Sequence, residues 1–454
     1  MRTPTTSHAL RVTLATCLLG APGLARAQAL APDTSWVRRA ALYEVFVQDF
    51  SQAGNFRGVQ EGLHRIRDAG ANVIWLMPVH PIGVAGRKGE LGSPYAAKDF
   101  KAINPSYGTA ADLKALVQAA HAESLKVILD WVPDHTSPDH PWVKEHPDWY
   151  FRDAKGQPSV PRDESGKLTD WTDVRQLDYG SADLRKAMTE TMQWWLREYD
   201  LDGFRVDVAG FVPHAYWREA LPALRASVKR PILLLAEWGT HEMHRSGFDL
   251  SYSWDSYKRL KGVWQGDSAA AWVRNEVADL DSMPKGGMRL RFTTNHDETA
   301  WDKTPVAIFG KGAGARAAYV AAALMPGRPL LYNGQEVESP QQLPLFSRML
   351  VEWNQPGADS ARAFYQRVLR LSRTQPALRT PDLALVQTTR PKDVIAYRRG
   401  DVVVLVNPRD QAVRFTVKGV KLAGLRDLLG GMPVPGNSVT LPAHGVLVLG
   451  KGKR

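Results

Sequence analysis

The sequence predicts a (β/α)8 barrel, an α/β fold, followed by a small antiparallel β domain. From residue 36 onward, short apolar runs alternate with segments of helical periodicity, as a barrel of alternating strands and helices requires. Four of these runs end in titratable residues, and the carboxyl ends of the strands are where such a barrel builds its active site. Beyond residue 378 the pattern changes to short β-rich runs broken by turn residues. We therefore expect a barrel over residues 28–378 and a C-terminal β-sandwich over residues 379–454.

The N-terminus has the pattern of a secretory signal peptide. Arg2 and Arg11 precede an apolar stretch over residues 12–24, and residues 25–27 (Ala-Arg-Ala) form a small-x-small cleavage signal. Residues 1–27 are thus expected to direct export, either to the periplasm or to the medium. The single cysteine, Cys17, lies within this segment, so the mature chain would have no disulfide and no thiolate metal site.

Composition is typical of a soluble globular protein. The 454 residues are 44% hydrophobic and 23% charged. The formal net charge of +11 raises the question of nucleic acid, but the basic residues are interspersed with 47 acidic ones and form no dense run, so we expect no nucleic-acid partner. No stretch after the leader approaches the length of a membrane span. Oligomeric state is left open.

The first half of the barrel is predicted from apolar runs and helical spacing. Val59, Leu63 and Ile66 lie on one face of a predicted helix. Residues 136–171 show neither helical nor strand periodicity and are rich in Pro, Asp, His and Trp. This pattern predicts a functional excursion from the barrel after the third strand. The predicted strands cover residues 42–47, 73–77 and the start of 126–135, and the predicted helices cover 58–69 and 113–120.

The second half continues the alternation up to the β-rich tail. The predicted strands lie within 202–207, 231–238, 248–252, 289–294 and 329–332, and the predicted helices cover 184–199 and 361–372. In the tail, residues 394–397 and 402–406 are predicted strands.

The stretch at residues 202–207 (DGFRVD) is the centre of the functional prediction. Arg205 and Asp207 are two residues apart on a predicted strand and therefore share a face. An adjacent arginine favours the ionised form of a carboxylate, which a nucleophile needs. Taken alone, this stretch is better explained by a structural Arg–Asp pair. A catalytic role is favoured because three further apolar runs also end in polar titratable residues. These runs lie within 126–135, 231–238 and 290–297.

These four stretches, in this order, resemble the four signature regions of the α-amylase family of glycoside hydrolases. The stretches are Asp130 to His135, residues 203–207, Glu237-Trp238 and residues 295–297. Shorter matches flank them at residues 43–46, 75–78, 92–95, 104–109 and 333–336. Each motif is weak alone, but the ordered set covers roughly residues 40–350.

The resemblance implies the roles of three carboxylates. Asp207 would attack the anomeric carbon, Glu237 would act first as acid and then as base, and Asp297 would stabilise the transition state. Retaining glycoside hydrolysis uses an ionised nucleophile and a protonated acid about 5 Å apart. Glu237 follows the apolar residues 233–236, and an apolar environment raises the pKa of a glutamate toward the working pH.

The resemblance also implies contacts to the sugar at the cleavage site. His135 and His296 would hydrogen-bond to it, Tyr95 would stack on it, and Arg205 would hold the nucleophile. Asp130 would lie near the site without taking part in the chemistry. Among the 15 tryptophans, four are candidates for sugar stacking, with none preferred: Trp131, Trp142, Trp149 and Trp238.

Two positions depart from the family pattern. Asp134 stands where many relatives have an asparagine that ligates calcium, and because a carboxylate is also a hard oxygen ligand, Asp134 is a candidate Ca²⁺ ligand. Ala209 and Gly210 stand where many amylases have a Lys-His pair that helps bind the reducing-side sugar, so contacts on that side must differ.

The sequence thus predicts an exported retaining α-glucan hydrolase that cleaves α-1,4-glucosidic bonds in starch or maltodextrins, without an organic cofactor. A transglycosylase and an exo-acting α-glucosidase share the same chemistry and remain alternatives. A non-catalytic glucan-binding barrel ranks lower, because all three carboxylates are present. Endo or exo action, chain-length and branch preference, and calcium dependence depend on loop geometry and are left open.

Overall fold

The structure, a computed structural model, describes residues 36–430, 434 and 436–451. The predicted signal peptide, residues 1–27, lies outside the described residues. Among the described residues, no helix combines the length and apolar character needed to cross a membrane.

Strands and helices alternate from residue 36 to about residue 380. In chain order the strands are β1 (Leu42–Val45), β2 (Val73–Leu76), β3 (Lys126–Trp131), β4 (His135–Thr136), β5 (Arg175–Gln176), β6 (Gly203–Val206), β7 (Leu233–Ala236), β8 (Leu250–Tyr252), β9 (Met288–Arg291), β10 (Arg328–Tyr332), β11 (Ala384–Leu385), β12 (Gln387–Thr388), β13 (Ile395–Arg399), β14 (Val402–Val406), β15 (Val413–Lys418), β16 (Arg426–Asp427), β17 (Ser438–Leu441) and β18 (Val446–Gly450). The helices are α1 (Val47–Phe50), α2 (Phe56–Glu61), α3 (Leu63–Asp68), α4 (Ala110–Ala122), α5 (Trp142–Glu145), α6 (Ala182–Glu198), α7 (His214–Ala226), α8 (Glu242–Arg245), α9 (Trp254–Trp264), α10 (Ala269–Asp281), α11 (His296–Trp301), α12 (Pro305–Phe309), α13 (Ala313–Ala323) and α14 (Ala358–Thr374).

Eight parallel strands close into a barrel, which confirms the predicted fold. Their order around the barrel is β1, β2, β3, β6, β7, β8, β9 and β10, and β10 pairs with β1. Every residue of β1, β2, β6 and β7 is buried. Burial on both faces explains why these strands read as continuous apolar runs rather than as alternating ones.

One glycine is needed where β6 and β7 pair. Gly203 opens β6 with a φ of +145°, and a Cβ at this position would lie 1.9 Å from the carbonyl oxygen of Leu233 on β7. Only glycine permits this approach, which sets the register Arg205↔Leu235 between the two strands.

Most predicted helices are present, with one break. The helix predicted over residues 58–69 is two helices, α2 and α3, which meet at Gly62. A Cβ at Gly62 would lie 2.4 Å from the ring of Phe50, so glycine here reflects close packing. Helix α4 begins before the predicted residue 113 because Thr109 and Asp112 form a capping box.

The excursion after β3 has structure of its own. Its ends are joined by the antiparallel pair β4–β5, in which His135 lies opposite Gln176. Isolated bridges close two tight turns, between Arg152 and Pro158 and between Arg162 and Leu168. The excursion therefore extends a few residues beyond the predicted end at residue 171.

The tail contains the predicted antiparallel strands in two sheets. One has the order β11-β13-β14-β18-β16 and the other β12-β15-β17. Apolar side chains from both sheets, including Leu405 and Phe415, form a core of their own. The hydroxyl of Tyr397 donates to the carbonyl oxygen of Ala321 on α13, 3.1 Å away. The boundary expected at residues 378–379 remains a prediction.

Candidate active site

The carboxyl ends of the barrel strands meet at a cavity of about 400 Å³. Asp207 follows β6, Glu237 follows β7, and Asp297 lies in the first turn of α11 beyond β9. The structure brings six of the predicted site residues together on the wall of this cavity: Tyr95, His135, Asp207, Glu237, His296 and Asp297.

Arg205 lies beneath the cavity and contacts three carboxylates. It is fully buried. Its Nη1 donates to Asp207 Oδ1 at 2.7 Å and to Asp130 Oδ1 at 2.8 Å. Its Nη2 lies 3.0 Å from Glu237 Oε2. The guanidinium thus holds Asp207 and Glu237 side by side, and Asp130 lies below them with no direct access to the cavity.

Aromatic rings surround this guanidinium. The rings of Trp75, Tyr95 and Tyr252 have their centroids 5.1, 5.6 and 5.7 Å from the Arg205 carbon. A cation over aromatic faces is stabilised by the ring quadrupoles. These rings exclude water from the charges below the cavity, which strengthens each electrostatic contact there.

The backbone after Asp207 is directed at Glu237. Val208 has a φ of +35° and a ψ of +45°, the left-handed conformation, which is rare for a β-branched residue. In this conformation its amide donates to Glu237 Oε2 at 2.8 Å. Local backbone strain of this kind is typical of functional sites, where surrounding contacts hold it in place.

Burial sets the protonation state of Glu237. Desolvation raises the pKa of this carboxyl to about 8, with Arg205 opposing the shift and Asp207 and Asp297 adding to it. The same cause raises the pKa of Asp130 to about 6. At neutral pH Glu237 is therefore mostly protonated, as a general acid must be.

Tyr95 and His296 form one wall of the cavity. Their rings stack with centroids 5.3 Å apart, and the Tyr95 hydroxyl lies 2.7 Å from His296 Nε2. The hydroxyl also donates to Asp130 Oδ2 at 3.1 Å. The other ring nitrogen of His296, Nδ1, is hydrogen-bonded to Glu44 on β1. Sequence patterns did not reveal Glu44 as a partner of the site.

Both side-chain oxygens of Asp134 accept hydrogen bonds from protein donors. Its Oδ2 accepts from His135 Nδ1 at 3.2 Å and its Oδ1 from Gln176 Nε2 at 3.2 Å, so both oxygens face donors. No cluster of three or more His, Cys, Asp or Glu side chains suited to a metal occurs in the described part of the chain. Calcium binding at Asp134 stays an untested prediction, and Asp134 instead joins the two ends of the excursion.

Several cavity residues were missed by sequence reasoning. Trp171 and Trp301 line the cavity, whereas the candidates Trp131 and Trp149 are buried in the core. Trp301 is 63% exposed and packs edge-on against Phe346 at 5.4 Å. It follows Asp297 by four residues on α11, so helical spacing was a signal for it. Further cavity residues that the sequence did not indicate lie on the excursion and on loops, among them Lys88, Asp170, Asp173 and Phe346.

Gly210, one of the two positions that depart from the family pattern, lies against the side chain of Trp238. A Cβ on Gly210 would lie 2.0 Å from the indole of Trp238. Trp238 therefore occupies the space that a larger side chain at position 210 would take. The indole lines a second cavity of about 710 Å³, which shares Val208 and Glu237 with the first.

Comparison with known proteins places this geometry in a family. The model for the α-amylase catalytic domain matches residues 44–246. The crystal structure of an α-amylase from Lactobacillus plantarum superposes with a TM-score of 0.81 and 32% identity, covering 91% of this chain and 99% of the other. The chain belongs to the α-amylase family. Members of the α-amylase family hydrolyse or transfer α-glucosidic bonds, and the barrel, the tail and the carboxylates described above all fit that family.

Two curated members of the α-amylase family differ in activity. The α-amylase MalA of Haloarcula japonica is 28% identical over 316 residues, 66% of this chain and 44% of that protein. The α-1,4-glucan:maltose-1-phosphate maltosyltransferase of Salinibacter ruber is 25% identical over 414 residues, 82% of this chain and 60% of that protein. The chain thus spans about half the length of the curated relatives it matches.

We expect the melting temperature to be the same with added Ca²⁺ and with EDTA, because the Asp134 oxygens already accept from His135 and Gln176. A metal that bound only the folded state would raise Tm in proportion to the logarithm of its concentration. Thermal unfolding across a calcium titration measures this, with Mg²⁺ as the control ion. A Tm that climbs with Ca²⁺ alone would show that a calcium site exists after all.

Proposed function

We propose that this protein is a retaining α-glucan hydrolase that cleaves α-1,4-glucosidic bonds in starch or maltodextrins. The observation that carries the proposal is the placement of Asp207 and Glu237 on one buried guanidinium, with burial keeping Glu237 protonated. Two carboxyl groups with opposite protonation demands at one cavity are what retaining glycoside hydrolysis requires.

In the proposed reaction Asp207 attacks the anomeric carbon and the bond to the leaving oxygen breaks. Glu237 donates its proton to that oxygen, so the leaving sugar departs as a neutral alcohol and a glycosyl ester forms on Asp207. Glu237, now ionised, removes a proton from water, and the water oxygen displaces Asp207 from the anomeric carbon. Asp207 and protonated Glu237 are regenerated, and the anomeric configuration is retained.

The remaining side chains support a positively charged transition state. Asp297 lines the same cavity as Glu237 and would stabilise the oxocarbenium-like sugar. Tyr95, stacked on His296 at the cavity wall, would lie against one face of that sugar. His135, half of a buried pair with Asp134, would hydrogen-bond to its hydroxyl groups. Burial by itself lowers the pKa of His135, but contact with Asp134 leaves it above the ordinary value.

Transfer to an acceptor other than water is the second candidate. The cavity beyond Glu237 has room for an acceptor, and its wall includes Trp238, Arg259 and Arg289. The maltosyltransferase relatives act, by their names, with maltose 1-phosphate. An acceptor bound in this cavity would intercept the glycosyl ester. Exo-acting α-glucosidase activity remains a further alternative within the same chemistry.

We also propose export, on the basis of the signal-peptide pattern over residues 1–27. A polymeric substrate such as starch cannot enter a cell, so an exported enzyme would meet it in the periplasm or in the medium. Fractionation of the producing cells, with the N-terminal residue of the mature protein determined, tests this.

The mature protein should release maltodextrins from starch and from maltoheptaose, and Asp207→Asn should reduce the rate on the order of 10³-fold or more, because the nucleophile is lost. Product chromatography measures both, and reactions with added maltose or inorganic phosphate reveal transfer. Asp148→Asn, an exposed carboxylate outside the cavity, serves as the control. Equal activity of wild type and Asp207→Asn would contradict the proposed mechanism.

The rate of maltoheptaose cleavage should fall as the pH rises through about 8, because the pKa of Glu237 is raised to that value and only the protonated form can act as the acid. The alkaline limb of kcat/KM measures this. α-Maltosyl fluoride is the control substrate, because fluoride leaves without needing a proton from an acid. The alkaline limb of kcat/KM for this substrate should therefore lie at higher pH. Identical limbs for both substrates would mean that Glu237 is not the acid.

Trp301→Ala should raise KM for maltoheptaose by about tenfold, the equivalent of 1.4 kcal/mol of lost apolar contact, and leave kcat nearly unchanged. The reason is that the exposed indole offers an apolar face to a bound chain. Initial rates measure this. Val84→Ala, which is equally exposed but lies outside the cavity, is the matched control. An unchanged KM in Trp301→Ala would place the bound chain elsewhere.

A further inference from the structure

Glu44 is a buried carboxylate that the proposed reaction does not use. It lies in the middle of β1 with no exposed surface. Its Oε1 is hydrogen-bonded to His296 Nδ1, and its Oε2 has no hydrogen-bond partner. A buried carboxylate is costly to hold without compensation, so its retention beside a cavity histidine calls for a function.

The groups around His296 favour its protonated form. Two carboxylates face it, Glu44 from β1 and Asp297 from α11, whose Oδ2 lies 3.3 Å from Nε2. The opposing charge is the guanidinium of Arg205 on β6, and the neutral hydroxyl of Tyr95 completes the shell. Burial lowers the pKa of His296, but Asp297 and Glu44 outweigh burial and Arg205 and raise it to about 9.

We propose that Glu44 is a positioning residue that holds His296 as an imidazolium and thereby fixes the direction of the hydrogen bonds that lead to the nucleophile. An imidazolium donates from both nitrogens. Nδ1 then donates to Glu44 and Nε2 to the Tyr95 hydroxyl oxygen. The Tyr95 hydroxyl is left to donate its own proton to Asp130 Oδ2.

The direction matters because the chain of bonds ends at the nucleophile. Asp130 and Asp207 share the Nη1 group of Arg205, at 2.8 and 2.7 Å. With a neutral His296 whose Nε2 accepts, Tyr95 would turn its proton toward the ring. Asp130 would lose a donor and compete more strongly for Arg205, which would weaken the hold on Asp207. Glu44 therefore acts on Asp207 through four intervening side chains.

The histidine itself provides a test that does not need activity. In ¹H–¹⁵N spectra of the mature protein, the His296 ring signal is assigned by its loss in His296→Gln. Wild type should remain an imidazolium through pH 8, and in Glu44→Gln the ring should lose its proton about one pH unit lower or more. Glu44→Asp, which keeps the charge, should recover part of the shift.

Glu336→Gln is the matched control. Glu336 is another fully buried carboxylate, and it accepts from Tyr43 Oη at 2.7 Å instead of contacting the histidine. It should leave the His296 titration unchanged. The same titration in Glu44→Gln and wild type would overturn the proposal, as would an equal shift in Glu336→Gln.

The kinetic readout rests on the proposed function. The substrate is α-maltosyl fluoride, whose cleavage does not require protonated Glu237. With it, Glu44→Gln should lower the pH of the alkaline limb of kcat/KM by as much as the His296 pKa falls in the spectra. At pH 8 kcat should fall by about tenfold with KM little changed, and Glu44→Asp should restore part of it. A shifted ring titration with unchanged kinetics would refute the positioning role. A wild type that lacks activity would refute the proposed function, while the spectra would still decide the state of His296.

Discussion

The buried guanidinium of Arg205 is the interaction on which the site depends. A charge without access to water is tolerated only when it is paired and hydrogen-bonded. Here Asp130, Asp207 and Glu237 supply the pairing, and removing one member of such a set typically costs about 3–5 kcal/mol. The close approach at Gly203 allows β6 and β7 to pair in the register that brings these carboxylates together. Stability and catalytic geometry thus share the same contacts.

Burial also raises the pKa of the carboxyl group beside the nucleophile candidate. Glu237 contacts the same guanidinium as Asp207, yet desolvation raises the pKa of Glu237 to about 8. The amide of Val208 binds one Glu237 oxygen, and the neighbouring Trp238 fills the space above Gly210. Glu237 therefore lies between two cavities and lines both of them.

Strand ends were predictable from the sequence because strands buried on both faces are short apolar runs whose polar residues mark their ends. That pattern singled out Asp207 and Glu237, and both side chains line the cavity. It did not predict the break at Gly62, which depends on the ring of Phe50, a residue of another helix. Trp131 was a candidate for sugar contact on composition alone, but packing buries it completely.

The sequence by itself determined the barrel and the order of the polar side chains at its strand ends, because period and spacing are local properties of the chain. Only the tertiary structure decided what those side chains touch. Glu44 contacts His296, which is 252 residues away in the sequence. Asp134 accepts a hydrogen bond from Gln176, which is 42 residues away. Both contacts join residues that are distant in the sequence, and both depend on distances that exist only once the barrel has closed.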